Sequence, residues 1–277
     1  MDGQDSGTSG RTWNITGRPS SNYRMTTRTL TIGILGGMGP QAGFDLATTV
    51  TAETLASRDQ DHIPMVVWSQ PGIPDRTAWL TNPSAPDPAP AIVKGFQALE
   101  RAGAGVAGMA CNTAHTPVLF DRVQAQLDHA DARIRILHLI EETVAGIRQT
   151  HPGLQKIGIL ATRGTLTARL YHAELEEAGF APISHEDPDR LTDAIYHPAK
   201  GIKACAHPAT PFARKEVESA VRELAQRGAE AVILGCTELP LALPGTAFGG
   251  ILLVNPTRML ARALIRAVDP AKLRPAS

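Results

Sequence analysis

Aliphatic residues along this chain come in short blocks that stop at glycine. In "LTIGILGGMGP" (30–40) an apolar run of strand length enters a Gly/Pro turn, the pattern of a parallel strand buried on both faces. The same Gly-Ile-Leu core returns in "KIGILATRGT" (156–165). Between such runs the spacing changes to that of helices. In "AIVKGFQALERAGAGVAGMAC" (91–111) Ile92, Phe96 and Leu99 stand four and then three residues apart, one face of an amphipathic helix. "EVESAVRELAQRGAEAVILGC" (216–236) overlays it without a gap, with Val217, Val221 and Leu224 at the matching positions. Gly103 and Gly228 fall where each helix needs a positive-φ cap, and an aliphatic strand ending at a cysteine follows each.

One offset relates these pairs. Gly33 to Gly158 and Cys111 to Cys236 are both separations of 125 residues. The pattern predicts a duplicated α/β fold: two pseudo-symmetric domains with mostly parallel sheets, helices on both faces, and a cleft between them. The expected first domain is 29–140 completed by 250–277, and the second is 141–249, with the halves meeting near 138–150. The closing "ILLVNPTRMLARALIRAV" (251–268) reads as a strand and helix with no counterpart in the second half. "LTNPSAPDPAP" (80–90) reads as a rim loop, and polar, Gly/Ser/Thr-rich residues 1–28 as a disordered extension without a secretory signal.

Composition narrows the function classes. Lys plus Arg equals Asp plus Glu at 27 each, so no net field draws in nucleic acid or a membrane surface. No apolar run approaches the roughly 20 residues that span a bilayer. Three cysteines make a sparse, odd set that fits a reducing, cytosolic setting rather than a disulfide framework. The nine histidines follow no zinc spacing, so no metal is expected.

The repeated cysteine corners carry the chemistry. Each ends a strand on the side where open α/β sheets bind ligands. Asn, Thr and Pro follow, in "CNTAHTP" (111–117) and "CTELP" (236–240), and free backbone N–H groups there, with the helix dipole, are expected to favour an anion and lower a thiol pKa. If the halves face each other, the sulfurs flank one atom from opposite sides, roughly 7 Å apart with about 3–3.5 Å from each to the reacting centre. One thiolate then removes a proton from carbon while the other thiol delivers one to the opposite face, inverting a stereocentre. Candidate donors for the carbanion are Asn112, Thr113, Thr237 and the amides of the turn "GGMGP" (36–40), Gly37 and Met38 among them. No pyridoxal-phosphate (PLP) lysine motif or P-loop occurs, so this mechanism requires no cofactor.

"GILGGMGP" (33–40), "IPDRT" (73–77), "CNTAH" (111–115) and "GCTELPL" (235–241), in this order, resemble the PLP-independent aspartate/glutamate racemase family, particularly its aspartate-racemase branch. The resemblance covers the chain from residue 30 onward. It implies that Cys111 and Cys236 are the catalytic acid/base pair of a racemase acting on aspartate, or on several amino acids including glutamate, and that Asn112, Thr113 and Thr237 bind the substrate's carboxylate or amino group. Arg76 matches an arginine that reads the side-chain carboxylate, a task suited to a bidentate guanidinium. The family lysine falls on Lys200 when counted from Tyr196, or on Lys203 when the Gly-Ile-Lys core is matched, and the second register fits better. Glu238 stands where the glutamate-racemase branch commonly has a histidine; its two candidate roles are orienting the second thiol and capping its helix, with capping preferred, and those of His115 are packing and a proton relay, with packing preferred. A homodimer is also implied.

Other readings remain open on the residues alone. Hydantoin racemases, a maleate isomerase and single-Cys malonate decarboxylases share the scaffold, and a two-lobed amino-acid-binding protein is a non-catalytic alternative. Two cysteines disfavour the decarboxylase, and binding alone does not need them.

Overall fold

The computed structural model describes residues 30–82, 84–206 and 208–275. The expected N-terminal extension therefore lies outside the described residues. The first half runs β1 (Thr31–Gly36), α1 (Pro40–Glu53), β2 (Met65–Ser69), α2 (Arg76–Thr81), α3 (Ala89–Arg101), β3 (Ala104–Met109), α4 (Pro117–His129), β4 (Arg135–Leu137) and α5 (Leu139–Thr150). The second runs β5 (Lys156–Leu160), α6 (Arg163–Thr167), α7 (Leu170–Glu177), β6 (Ala181–Ser184), α8 (Pro188–Tyr196), α9 (Pro211–Gln226), β7 (Ala231–Leu234), α10 (Leu239–Ala242), β8 (Ala247–Phe248), β9 (Ile251–Val254) and α11 (Pro256–Val268).

The strands form two sheets, ordered β2-β1-β3-β4 and β6-β5-β7-β9-β8. Every pairing is parallel except the β8–β9 hairpin, as expected for strands reached by helical crossovers. The duplication extends to register. Ile32 pairs with Val106 and Leu35 with Met109 in one sheet; Ile157 pairs with Ala231 and Leu160 with Leu234 in the other. All four pairs obey the 125-residue offset seen in the sequence.

The repeated glycines follow from packing. A Cβ on Gly33 would lie 3.0 Å from Ala104 and 3.3 Å from Leu99, and on Gly158 3.1 Å from both Ala229 and Leu224. In each half the missing side chain lets the following helix–strand unit settle onto the central strand. The caps Gly103 and Gly228 adopt φ of 97° and 91°, the left-handed conformation that ends each helix.

Helices cover both faces of the sheets. Phe96, Leu99, Leu119 and Val123 of α3 and α4 bury the outer face of the first sheet, and Val217, Val221 and Leu224 of α9 do so for the second. The inner faces share one core, in which Ile32, Ile34 and Leu46 join Ile157, Ile159 and Tyr171.

The chain's closing segment departs from expectation. The closing segment does not return as a block to the first half: β9 pairs with β7 in the second sheet, while α11 packs back on α1 and β3 and Lys272–Arg274 bond to the end of α1. Both placements have physical causes. The β8–β9 hairpin holds the buried Ile251, Leu253 and Val254 beside β7, while Leu260 and Leu264 fill the space above Gly108 of β3. This segment's counterpart lies in the first half. β4 and α5 occupy the equivalent place in strand order, and α5 packs on α7 of the second half as α11 packs on α1 of the first. The last helix of each half thus crosses to the other.

Candidate active site

β3 and β7 are the neighbours of the two glycine-bearing strands, and each runs into a corner that carries a buried cysteine, Cys111 or Cys236. The two cysteines line one narrow cleft, together with residues from both halves.

At the first corner Asn112, Thr113 and the short 3₁₀ turn Thr113–His115 follow the cysteine. The Tyr171 hydroxyl, on α7 of the other half, donates to Asn112 Oδ1 at 2.5 Å. This fixes the amide, and its Nδ2 is left buried without a partner. An unsatisfied donor inside a cleft is costly unless a ligand acceptor meets it. The hydroxyls of Thr113 and Thr165 stand 3.2 Å apart, and Thr162 lies 3.4 Å beyond, a row of hydroxyls crossing between the halves. His115 is fully buried. Its Nδ1 meets the Cys111 carbonyl at 2.8 Å, and its ring stacks on Phe120. Burial and the nearby His138 push its pKa down to about 3, which keeps the imidazole neutral and suits packing.

Arg76 opens α2, whose N-terminus is capped by the Asp75 carboxylate on the Ala78 amide. Its guanidinium donates to the carbonyls of Pro74 at 3.1 Å and Met38 at 3.2 Å, while Nε is buried without a partner. Burial opposes its charge, but the Cys111 sulfur and Asp75 more than offset this and hold its pKa above the usual value. Arg76 forms no ion pair with a carboxylate among the described residues.

The second corner is organised by Glu238. Capping was preferred over orienting the thiol, and the structure corrects that preference: the side chain makes no cap hydrogen bond to α10. The carboxylate turns into the cleft, where Cys236 Sγ donates to Oε2 at 3.0 Å and Thr237 Oγ1 donates to the same atom at 3.3 Å. Oε1 accepts from Lys203 Nζ and from the Gly39 amide at 3.3 Å. A buried carboxylate with several donors satisfies itself better this way than at the end of a four-residue helix. Burial raises its pKa, but Lys203 and the Cys236 thiol outweigh that and hold it below the usual range. Burial and the Glu238 charge push the Cys236 thiol well above its usual value.

Of the two lysines, Lys203 lines the cleft, while Lys200 lies over the Phe212 ring, 3.7 Å from its centroid. Met38 lines the cleft, but Gly37 is not among the lining residues. Gly37 holds the turn instead, at φ 102° and so close to the Gln70 backbone that a Cβ would lie 2.3 Å from it. The sequence reading missed Thr77, Thr162, Tyr196 and Gly235, which line the cleft, and Thr165 and Tyr171, which bond to residues that do. The signal for Thr162 was present, since it stands 125 residues after Gly37, at the same turn of the second half. Among the described residues no group of three or more His, Cys, Asp or Glu side chains could hold a metal, and no helix is long and apolar enough to cross a membrane.

Residues 35–264 match the family described as Asp/Glu/hydantoin racemase. The chain belongs to that family. The racemase is 28% identical to the aspartate racemase of Picrophilus torridus, with a TM-score of 0.74 over 86% of this chain and 94% of that one. It is 25% identical to an aspartate racemase homologue from Pyrococcus horikoshii, with a TM-score of 0.63 over 86% and 98%. The broad specificity amino-acid racemase RacX of Bacillus subtilis is 29% identical over 217 residues, 76% of this chain and 87% of that protein. Family and fold together make the protein an isomerase of the racemase type.

Proposed function

We propose that this racemase interconverts the L and D forms of an amino acid, aspartate first, by proton transfer between two opposed cysteines. The observation that carries the reading is the shared cleft: Cys111 and Cys236 come from matching strand ends of the two halves and line the same space. One sulfur removes the α-proton and the other protonates the opposite face, so neither PLP nor a metal is needed. The unpaired Asn112 Nδ2 and the Thr113 and Thr162 hydroxyls, backed by Thr165, supply donors for the α-carboxylate, where charge grows as the proton leaves. The unpaired Nε of Arg76 is the donor free for a side-chain carboxylate.

Aspartate is supported by the aspartate racemase among its relatives and by this arginine. Substrates beyond aspartate, glutamate among them, are favoured by a different observation. Lys203 is already paired with Glu238, and two guanidinium nitrogens of Arg76 are occupied by backbone carbonyls, so the cleft holds less free positive charge than its residue list suggests. A broad-specificity relative points the same way. We place the enzyme in the cytosol as a homodimer acting on a free amino acid, a setting supported by three unpaired thiols.

Incubating the protein with L-aspartate, L-glutamate and a panel of neutral and basic amino acids in deuterated water tests both parts. The expected result is D-product bearing α-deuterium, with aspartate turned over; absence of exchange for every amino acid would refute racemisation of this substrate class.

A further inference from the structure

The duplication that makes the two thiols alike also shows where they differ. At the 125-residue offset Asn112 answers to Thr237, and Thr113 answers to Glu238. A hydroxyl two residues after one cysteine is thus replaced by a carboxylate after the other. Glu238 is 4% exposed and carries four donors: the Gly39 amide and Lys203 on Oε1, the Cys236 thiol and the Thr237 hydroxyl on Oε2. With both oxygens occupied by the protein, it acts on chemistry through its neighbours rather than on a ligand. The Cys236 S–H points its proton at this carboxylate, whereas the charged group beside Cys111 is the Arg76 guanidinium.

We propose that Glu238 is a positioning residue that keeps the proton on Cys236 between turnovers, so that the first proton acceptor is Cys111 and the first proton donor is Cys236. A carboxylate accepting from S–H stabilises the thiol, and a thiolate in its place would face a like charge across the same short distance. The protons balance. Cys111 sulfur takes the α-proton as the C–H bond breaks, and the Cys236 S–H bond breaks as its proton joins the opposite face of the carbon. The cycle leaves a Cys111 thiol and a Cys236 thiolate, with the Lys203 ammonium beside Glu238 offsetting the added negative charge. Release of the Cys111 proton to solvent and uptake of one by Cys236 then restore the starting Cys111 thiolate and Cys236 thiol. Racemisation has an equilibrium constant of one, so kcat/KM is equal for both enantiomers however unequal the sulfurs are. The inequivalence must therefore be read on the thiols themselves.

The full-length protein, without substrate, is alkylated with iodoacetamide across a pH series, and Cys111 and Cys236 are quantified separately by peptide mass spectrometry. In the native protein Cys236 is expected to react with the higher midpoint. Glu238→Gln, which keeps shape and an acceptor but removes the charge, lowers the Cys236 midpoint by about one pH unit or more and leaves that of Cys111 in place. Lys203→Met moves the Cys236 midpoint the opposite way, upward. Simple loosening of the corner would shift both variants in one direction and speed alkylation at every pH, an outcome that overturns the proposal. So would equal midpoints for the two thiols in the native protein, or an unmoved midpoint in Glu238→Gln. If that variant does not fold, Lys203→Met decides by its sign. The place of this device in turnover rests on the two-thiol reading, but the titration needs no substrate. Failure of isotope exchange with the titration as expected would therefore sink the catalytic reading alone.

Discussion

The two cysteine corners are built from the same strand–turn pattern and furnished differently. Around Cys111 the groups are neutral donors and one cation: Asn112 held by Tyr171, a row of threonine hydroxyls, and Arg76 braced on backbone carbonyls. Around Cys236 a buried ion pair, Glu238 with Lys203, is tied to the thiol itself. Duplication supplied the symmetry of the two corners, and divergence after each cysteine gave them unlike surroundings. The first corner has donors to spare for a ligand, whereas the second has spent its carboxylate on its own thiol and lysine.

The largest expected effect is loss of either sulfur. Cys111→Ser and Cys236→Ser should each lower racemisation in both directions by about a thousandfold or more, as removal of a general acid–base group does. Equal and severe losses fit a pair that works as a unit, and robust turnover in either variant would break the pairing. Arg76→Lys comes next. Replacing a planar guanidinium by a point charge should lower kcat/KM for aspartate about 10- to 100-fold and affect neutral amino acids less. Equal losses across the panel would assign Arg76 to bracing the turn at Met38 instead.

Tyr171→Phe tests the first corner from across the cleft. Without the hydroxyl, Asn112 loses the bond that orients its amide, and kcat/KM should fall about tenfold, corresponding to roughly 1.4 kcal/mol and within the range for a buried hydrogen bond. An unchanged rate would show that Asn112 needs no such restraint.

How much of this was legible beforehand follows from what repeats. The strands, the helices and the joint offset of Gly33/Gly158 and Cys111/Cys236 depend on local periodicity and steric need, which a sequence carries openly, and the register of both sheets obeys them. The closing segment was misjudged because β9 and α11 are adjacent in sequence but bury their apolar faces in different halves, a choice made by tertiary packing. For Glu238 the sequence favoured the wrong one of its two candidate roles for a related reason. An acidic residue before a helix signals a cap, yet its partners Lys203 and Gly39 arrive from 35 and 199 residues away. Tyr171 carried no local signal, since its hydroxyl meets Asn112 only after α5 and α7 have packed.

Smaller effects concern the frame. Gly33→Ala and Gly158→Ala should each destabilise by about 1–3 kcal/mol through overpacking, read as lower denaturant midpoints. Similar costs at both positions would extend the symmetry of the corners to their supports. His115 gives the pH-dependent counterpart. Its folded pKa of about 3 lies below the 6.5 of a free imidazole, so the unfolded chain binds more protons between those values. Its stabilisation is present above pH 6.5 and lost progressively as pH falls toward 3. His115→Gln should flatten the stability profile in that window, while an unchanged slope would place the acid sensitivity elsewhere.

Early time points in deuterated water test the two-thiol account most directly. With L-aspartate at low conversion, deuterium should appear at the α-carbon of the D-aspartate formed, while the recovered L-aspartate stays protiated, because one sulfur takes the proton and the other delivers deuterium. Deuterium entering the recovered L-aspartate as fast as it enters the product would contradict it, since a single group would then be both removing and returning the proton.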